Sequence, residues 1–501
     1  MPGVLTLCAG NMALSSTRPL PRPAASLPVP DGRASLMSLS STSPSTKRGG
    51  EDASVGNRRR FSWRCRQACM ATANANTNTK PLRLWSSLSQ DLKHQPGSVL
   101  GAAALITGTT VGAGILALPA VTAPSGFVAA SATLGGFALF SIVTGLLVVE
   151  VNISTLQELG SGKGVSLSSM ARRTLGNGGA TAVSAAYILI HYSLLVAYIA
   201  KAGETLNQLS GLPLAAGSIV FAATLGGLCF AVRPATLNNI NTFLVGLFVL
   251  SFLGLAGLTA ADMQPQQLAV ANWGAVPNAV PVIALAFIYQ NVVPVVVSNL
   301  EGNVVKIRQA VVLGVAFSWL MFEIWLAAVL GSPSLTGAAL SAADPQAAVA
   351  AAAANLADPL AALRDGGGPV VGPLTTAFTL LAVGTSFIAF VIGLSDFMAD
   401  ALQLPTGRRQ ALPYLLTVVP PLAFAMAFPD VFYHALDFAG SYGVLTLFAL
   451  IPVAMCWSER YGGTSPSRQQ LVPGGRPLLL AVAATAGGVI GRELLIATGQ
   501  L

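Results

Sequence analysis

The sequence predicts an all-α integral membrane protein of about eleven transmembrane helices, arranged as two inverted five-helix repeats with helices one and six broken. Three observations predict it. Hydrophobic residues make up 53% of the 501-residue chain and charged residues only 9%, and the mean hydropathy is +0.67, too apolar for a soluble surface. Apolar windows of membrane length recur along the chain. Two of them, five crossings apart, are interrupted by glycine, proline and polar residues.

The first 79 residues stand apart. They carry ten Lys/Arg, three acids (Asp31, Glu51, Asp52) and eleven serines, the pattern of an organellar transit peptide. A chloroplast inner envelope is the expected destination, with the mitochondrial inner membrane as the alternative. Beyond this leader the chain holds 17 Lys/Arg against 16 Asp/Glu. The basic balance therefore belongs to the leader and does not point to nucleic acid. Cys8, Cys65 and Cys69 fall in it, while Cys229 and Cys456 lie in separate apolar segments, so no disulfide framework is expected.

The transporter domain is expected over 97–496. Its spans read as 98–120, 126–149, 180–202, 213–232 and 239–260 in a first repeat (98–260). A second repeat (277–457) holds 277–299, 310–331, 370–393, 411–428 and 434–457, and an extra helix follows at 477–495. Alanine-rich 346–357, bracketed by Asp344 and Asp358, reads as a surface helix in a loop. Fourteen Lys/Arg in the segments around the spans fall on the leader's side of the membrane. Only Lys201, Arg364 and Arg492 fall on the other, a strong positive-inside bias.

The first break is "TGTTVGAGILALP" (107–119) and the second lies in "IYQNVVPVVVSNLEG" (288–302). A helix interrupted inside a bilayer exposes amides and carbonyls that are tolerable only where they line a cavity. An amino acid suits such a cavity. Its carboxylate fits the amides near Gly112–Gly114 and its ammonium fits carbonyls near Tyr289–Asn291. The competing reading is that Gly108 and Gly112 form a GxxxG packing motif. The candidate substrate-binding residues are Thr107, Gly108, Thr109, Thr110, Gly112, Ala113 and Gly114 in the first break, and Gln290 and Asn291 in the second. Tyr187, Phe287, Tyr289 and Phe387 offer stacking area for an aromatic ring, and His191 lies beside Tyr187.

Ionisable groups inside spans are costly and mark coupling or gating. Glu150 and Glu323 are the candidate proton carriers, with Asp396 and Asp437 nearer span ends. Glu301, Lys306 and Arg308 read as a gate or loop network after the second break. The three histidines (His94, His191, His434) are far apart. No nucleophile–base, His-box or metal spacing occurs, so neither an enzyme nor a cofactor or metal is expected.

Four segments carry a family resemblance: "GTTVGAGILALPAVTAPSGF" (108–127), "SNLEGNVVKIRQAVVLG" (298–314), "VGTSFIAFVIGLSDFMADAL" (383–402) and "ALDFAGSYGVLTLFALIPVAMCWSERY" (435–461). They resemble the tryptophan/tyrosine permease family, a branch of the aromatic and hydroxy amino acid permeases in the amino acid–polyamine–organocation superfamily. Its plastid-targeted plant and algal members are the expected neighbours. The resemblance implies a LeuT-type 5+5 inverted repeat with an eleventh helix outside it, and proton-coupled transport of tyrosine or tryptophan. Sodium-coupled relatives of that fold hold Na⁺ with a hydroxyl pair in helix eight, and Thr385 and Ser386 match that pair. Some proton-coupled relatives place a lysine from helix five there, and 239–260 has none. Na⁺-coupled or exchange-type transport of neutral amino acids is therefore the alternative, ahead of a membrane enzyme or a non-transporting subunit.

The charge bias fixes a topology to be tested. Impermeant labels should reach 163–173 and 408–409 from one face of the membrane and 344–365 from the other; labelling of all three from one face refutes the eleven-span reading.

Overall fold

Inside hydrocarbon a chain must pair its own backbone groups, and helices do this within one segment. Every regular element among the described residues is helical. The computed structural model describes residues 97–500 apart from 160–164, 262, 333–358, 403–410 and 463–469. The leader expected over 1–79 and the loop helix expected at 346–357 lie outside the described residues.

The first expected span is split into α1 (Val99–Thr110) and α2 (Gly114–Thr122), and a 3₁₀ turn leads into α3 (Gly126–Leu159). Then come α4 (Leu167–Ser210), α5 (Leu214–Ala231) and α6 (Pro234–Ala261). The sixth span is split as well, into α7 (Val276–Ala286) and α8 (Val293–Asn299), with a 3₁₀ turn at Gln290–Val292 between them. After α9 (Val304–Leu330) follow α10 (Pro359–Gly366), α11 (Gly368–Ala401) and α12 (Ala411–Ala427). The chain ends with α13 (Phe432–Phe438), two π-helical segments, α14 (Ile451–Tyr461) and α15 (Gly475–Ala497). Nine stretches among the described residues are long and apolar enough to cross a membrane, and Val99–Thr110 and Ala411–Ala427 are shorter apolar helices. Two local causes account for the difference from eleven expected spans. The first break leaves α1 too short to count while α2 runs on into α3, and α12, with 17 residues, is also too short.

Local chemistry sets the helix ends. The Ser98 hydroxyl accepts from the Gly101 amide at 2.9 Å to start α1. Ser166 and Ser169 cap α4 reciprocally, at 3.2 and 2.9 Å, and α4 stops at Gly211, whose φ of 71° is left-handed.

Two sets of helices pack internally. α1, α2, α3, α7, α8 and α9 form one, and α4, α5, α11 and α12 form the other, with α6 lying on α11 and α9. In the first set α1 and α9 approach so closely that a Cβ on Gly314 would lie 2.6 Å from Ile106. The π-helical turns after α13 are likewise pressed on their neighbours. A Cβ on Gly440 would meet the Pro281 carbonyl at 2.1 Å, and one on Gly443 would meet Ile190 at 2.3 Å. Such π segments interrupt the regular ladder and recur at functional sites.

The two ends of the bundle are held by different physics. At the far end, the fully buried Trp325 donates its indole N–H to the Ile115 carbonyl at 2.9 Å, tying α9 to α2. Its ring lies 4.8 Å from Phe378 of α11, which stacks on Phe248 of α6 at 5.1 Å. At the basic end, Glu150 of α3 accepts from Nε and Nη2 of Arg460 on α14, both at 2.7 Å, and from the Leu471 amide at 2.8 Å. The guanidinium of Arg460 also donates to the Val472 carbonyl at 3.3 Å. Arg308 of α9 donates to the Leu471 carbonyl. Beside this, Arg173 of α4 pairs with Glu158 at 2.8 Å and Glu459 at 3.1 Å. The residue expected to carry protons at the end of helix two thus sits in a bidentate ion pair, its oxygens held by three N–H donors.

Both partners are nearly buried, with 4% of the Arg460 side chain and 7% of that of Glu150 exposed. Removing one charge strands the other. Glu150→Ala should cost about 3–5 kcal/mol, and adding Arg460→Met should restore most of it. Thermal unfolding of the detergent-purified variants checks this, and an unchanged midpoint in Glu150→Ala refutes it.

Candidate functional site

The two breaks lie together. A Cβ on Gly114, at the start of α2, would be 3.5 Å from the Cα of Ala286, at the end of α7. In the first break the Val111 amide still reaches Thr107 O at 2.8 Å, and the Gly112 amide folds back on Thr110 O at 3.0 Å. The Ala113 amide leaves the helix altogether and donates to Ser386 Oγ of α11 at 3.0 Å. Ser386 is therefore the point where the opposite helix set touches the break.

That contact explains Gly112. None of Gly108, Gly112 or Gly114 has a positive φ, so a left-handed backbone is not what requires glycine here. At Gly112 a Cβ would lie 3.0 Å from Ser386 Oγ, whereas one at Gly108 would meet nothing within 4 Å. The GxxxG packing reading thus fails at Gly108, which is exposed. The neighbouring hydroxyls serve the end of α1. Thr109 and Thr110 donate to Leu105 O and Ile106 O, each at 2.8 Å. Thr107 donates to Ala103 O and across to Gly314 O, both at 3.0 Å.

Side chains of α3 hold the second break. Ser141 Oγ donates to the Phe287 carbonyl at 2.8 Å, and Tyr289 OH donates to Ser141 O at 2.9 Å. The Gln290 side chain accepts from the Tyr289 amide at 3.0 Å and donates to Thr144 Oγ1 at 3.1 Å. The ring of Tyr289 lies so close to α3 that a Cβ on Gly145 would fall 1.9 Å from its hydroxyl. Tyr289 and Gln290 are thus turned toward α3, and Phe287 packs edge-on against Phe322 at 5.3 Å. Asn291 differs: its Oδ1 is buried without a hydrogen-bond partner among the described residues.

The remaining aromatic candidates separate. Phe387 is fully buried and packs edge-on against Phe221 of α5 at 5.1 Å. Tyr187 and His191 stack at 3.9 Å, and Phe397 and Phe390 of α11 close over them at 4.9 and 4.8 Å. His191 Nδ1 donates to Tyr187 O at 2.8 Å, and both residues face α11 at Gly393, where a Cβ would lie 3.3 Å from Tyr187 OH. This ring stack lies toward the basic end of the α4–α11 contact, below Ser386. Thr385 donates back to Leu381 O at 2.8 Å.

Among the carboxylates, Glu323 of α9 accepts from Ser131 Oγ of α3 through Oε2, and its Oε1 is buried without a hydrogen bond among the described residues. Asp396 is exposed at the basic end of α11. Glu301 takes a φ of 52° in the turn after α8, where the Gly302 amide returns to Val297 O at 2.9 Å. It shapes the gap between α8 and α9. Sequence reasoning missed Ser141, Thr144 and Trp325. Hydroxyls and indoles in apolar helices are common, and only their contacts with residues more than 140 positions away single these out.

The chain matches the tryptophan/tyrosine permease family over residues 95–491. It is 29% identical over 408 residues to tyrosine-specific transport system 2 of Haemophilus influenzae, covering 78% of this chain and 94% of that protein. It is 26% identical over 407 residues to the tryptophan-specific transport protein of Shigella flexneri, covering 77% and 92%. It is also 25% identical over 384 residues to glutamine transporter 2 of Aliivibrio fischeri, covering 74% and 92%.

The geometry makes Gly112 the sharpest probe of the break. Gly112→Val should insert in normal amounts, because it exposes no polar group to lipid. It should push Ser386 off the Ala113 amide and weaken ligand binding at least about tenfold, roughly 1.4 kcal/mol. Expression and affinity, measured on one purified variant with tyrosine and tryptophan as probes, decide it; unchanged affinity excludes the break as the binding site.

Proposed function

The chain belongs to the tryptophan/tyrosine permease family, and from that premise we propose that it is a secondary active carrier of tyrosine or tryptophan working by alternating access. The family is one of permeases, not of enzymes, and the chain is a multi-pass membrane protein. The observation that carries the reading is the meeting of two broken helices at Gly114 and Ala286. An amino acid brings a negative and a positive end, and two half-helices meeting inside a bilayer offer the start of one and the end of another. In this reading the carboxylate lies at the start of α2, the ammonium lies by the carbonyl ends of α1 and α7, and Asn291 supplies a further acceptor.

A LeuT-type inverted repeat accounts for two breaks five crossings apart. Substrate movement is then a rocking of the set holding both breaks against the set holding Ser386. Proton coupling is the favoured drive, and Glu323 is its carrier. Its carboxyl bridges α3 and α9 by accepting from Ser131, within apolar helices, as suits a group that gains and loses a proton. Sodium coupling through Thr385 and Ser386 is the second reading. The basic, serine-rich leader supports a chloroplast inner envelope, with the mitochondrial inner membrane as the alternative.

Reconstituted protein should accumulate radiolabelled tyrosine or tryptophan when an inward proton gradient is imposed, and a sodium gradient alone should not suffice. Glutamine, the substrate named for one relative, is the competing ligand. Accumulation of glutamine but neither aromatic amino acid overturns the substrate assignment. Accumulation with sodium alone overturns the coupling, and uptake of none overturns the carrier. The tagged full-length chain should fractionate with plastid envelopes.

A further inference from the structure

Hydroxyls inside apolar helices usually bond back to their own helix, and on α11 Thr375, Thr379, Thr385 and Ser395 all do. Ser386 bonds outward instead. Its Oγ accepts from the Ala113 amide at 3.0 Å, and its side chain hydrogen-bonds the Tyr198 hydroxyl of α4. Both side chains are nearly buried, Ser386 at 8% exposure and Tyr198 at 4%. One serine therefore joins α11, α4 and the first break.

The amide it takes is the exception at the break. The Val111 and Gly112 amides return to Thr107 O and Thr110 O, and those of Ile115 and Leu116 return to Gly112 O and Ala113 O. Ala113 stands at the start of α2, where its own side chain supplies no cap. An amide in that position favours a negatively charged acceptor. Ser386 offers a neutral one. Its oxygen also lies where a Cβ on Gly112 would come within 3.0 Å, so it fills the notch that the glycine leaves beside the amide.

The relative strengths of two bonds set the consequence. A buried amide without an acceptor is costly in hydrocarbon, so a neutral hydroxyl stabilises the break when no ligand is bound. A carboxylate holds an amide more strongly than a hydroxyl does, because its bond is charge-assisted. A carboxylate arriving at the start of α2 therefore wins the Ala113 amide, less what the serine bond was worth. Serine and ligand compete for one N–H.

We propose that Ser386 is an internal stand-in for the ligand's carboxylate, holding the Ala113 amide in the ligand-free carrier and giving it up when an amino acid binds. The inference rests on the carrier reading above and gives one residue beside the site a role opposed to affinity. Because Ser386 belongs to the opposite helix set, its displacement also releases the first break from α11 and α4. The ligand thus unties the two sets by occupying the site. Gly112→Val is a different perturbation. Its side chain fills the notch itself, so it loses affinity where removal of the hydroxyl gains it.

The test is binding to full-length, detergent-purified protein, with tyrosine, tyramine and 3-(4-hydroxyphenyl)propanoate as probes. Tyramine lacks the carboxylate and the propanoate lacks the ammonium. Wild type is measured first, and failure to bind either tyrosine or tryptophan overturns the carrier reading and the stand-in with it. With binding established, Ser386→Ala should tighten tyrosine and the propanoate about tenfold and leave tyramine within about twofold. Its ligand-free thermal midpoint should fall below that of wild type, and saturating tyrosine should close the gap. Weaker binding of tyrosine makes the serine a ligand contact and overturns the stand-in alone. An equal change for all three probes, or none for any, overturns it as well. If Ser386→Ala does not fold, Ser386→Cys, whose thiol is a poor acceptor, decides by the same comparison.

Discussion

A backbone amide or carbonyl left unpaired in hydrocarbon costs several kcal/mol, and the structure is organised around the two places where the chain unpairs its own. The first break gives one amide to Ser386 of α11. The second gives a carbonyl to Ser141 of α3 and folds its own Gln290 back on the Tyr289 amide. These few bonds determine which helices must stand beside the breaks. α3 braces the second break from within its own set, while the first is contacted from the opposite set. The asymmetry suits a carrier. One contact travels with the breaks, and the other must be made and lost as the sets move.

Much of this was legible in the sequence because helix breakers inside apolar windows are a local signal. Gly112, Gly114, Pro294 and Asn291 mark both interruptions within a few residues. What each residue does there depends on partners the sequence does not reveal. Gly112 reads as a backbone ligand for a carboxylate or as half of a packing motif, and its nearest constraint is a serine 274 positions away. Thr109 and Thr110 read as ligands, yet their hydroxyls close the helix that precedes the break. Phe387 reads as a stacking surface for substrate and faces the next helix instead, since periodicity alone does not say which way a helix with apolar residues on every side is turned. Glu150 reads as a proton carrier, and the arginine that pairs with it lies 310 residues on.

The two ends of the bundle would respond differently to their surroundings. The far end is joined by aromatic contacts among Trp325, Phe378 and Phe248 and by one neutral hydrogen bond from the Trp325 indole to Ile115 O, which are weaker and less exacting than a bidentate charge pair. The basic end is joined by charge-assisted bonds with fixed geometry, Arg460 to Glu150 and Arg173 to Glu158, which either form or do not. Helices meeting through rings can shear gradually. Helices meeting through a bidentate pair separate in one step, so the basic end has the more switch-like contact.

The short strand of chain before α15 is fastened at that end almost wholly through its main chain. Glu150 takes the Leu471 amide, Arg308 the Leu471 carbonyl and Arg460 the Val472 carbonyl. Every residue except proline carries all of these groups, and the two buried side chains need only be apolar. The fastening can therefore persist while its letters drift. A comparison of related sequences would find Glu150 and the two arginines held constant opposite a segment that looks free to vary, and the reason for their constancy would be invisible in the columns themselves.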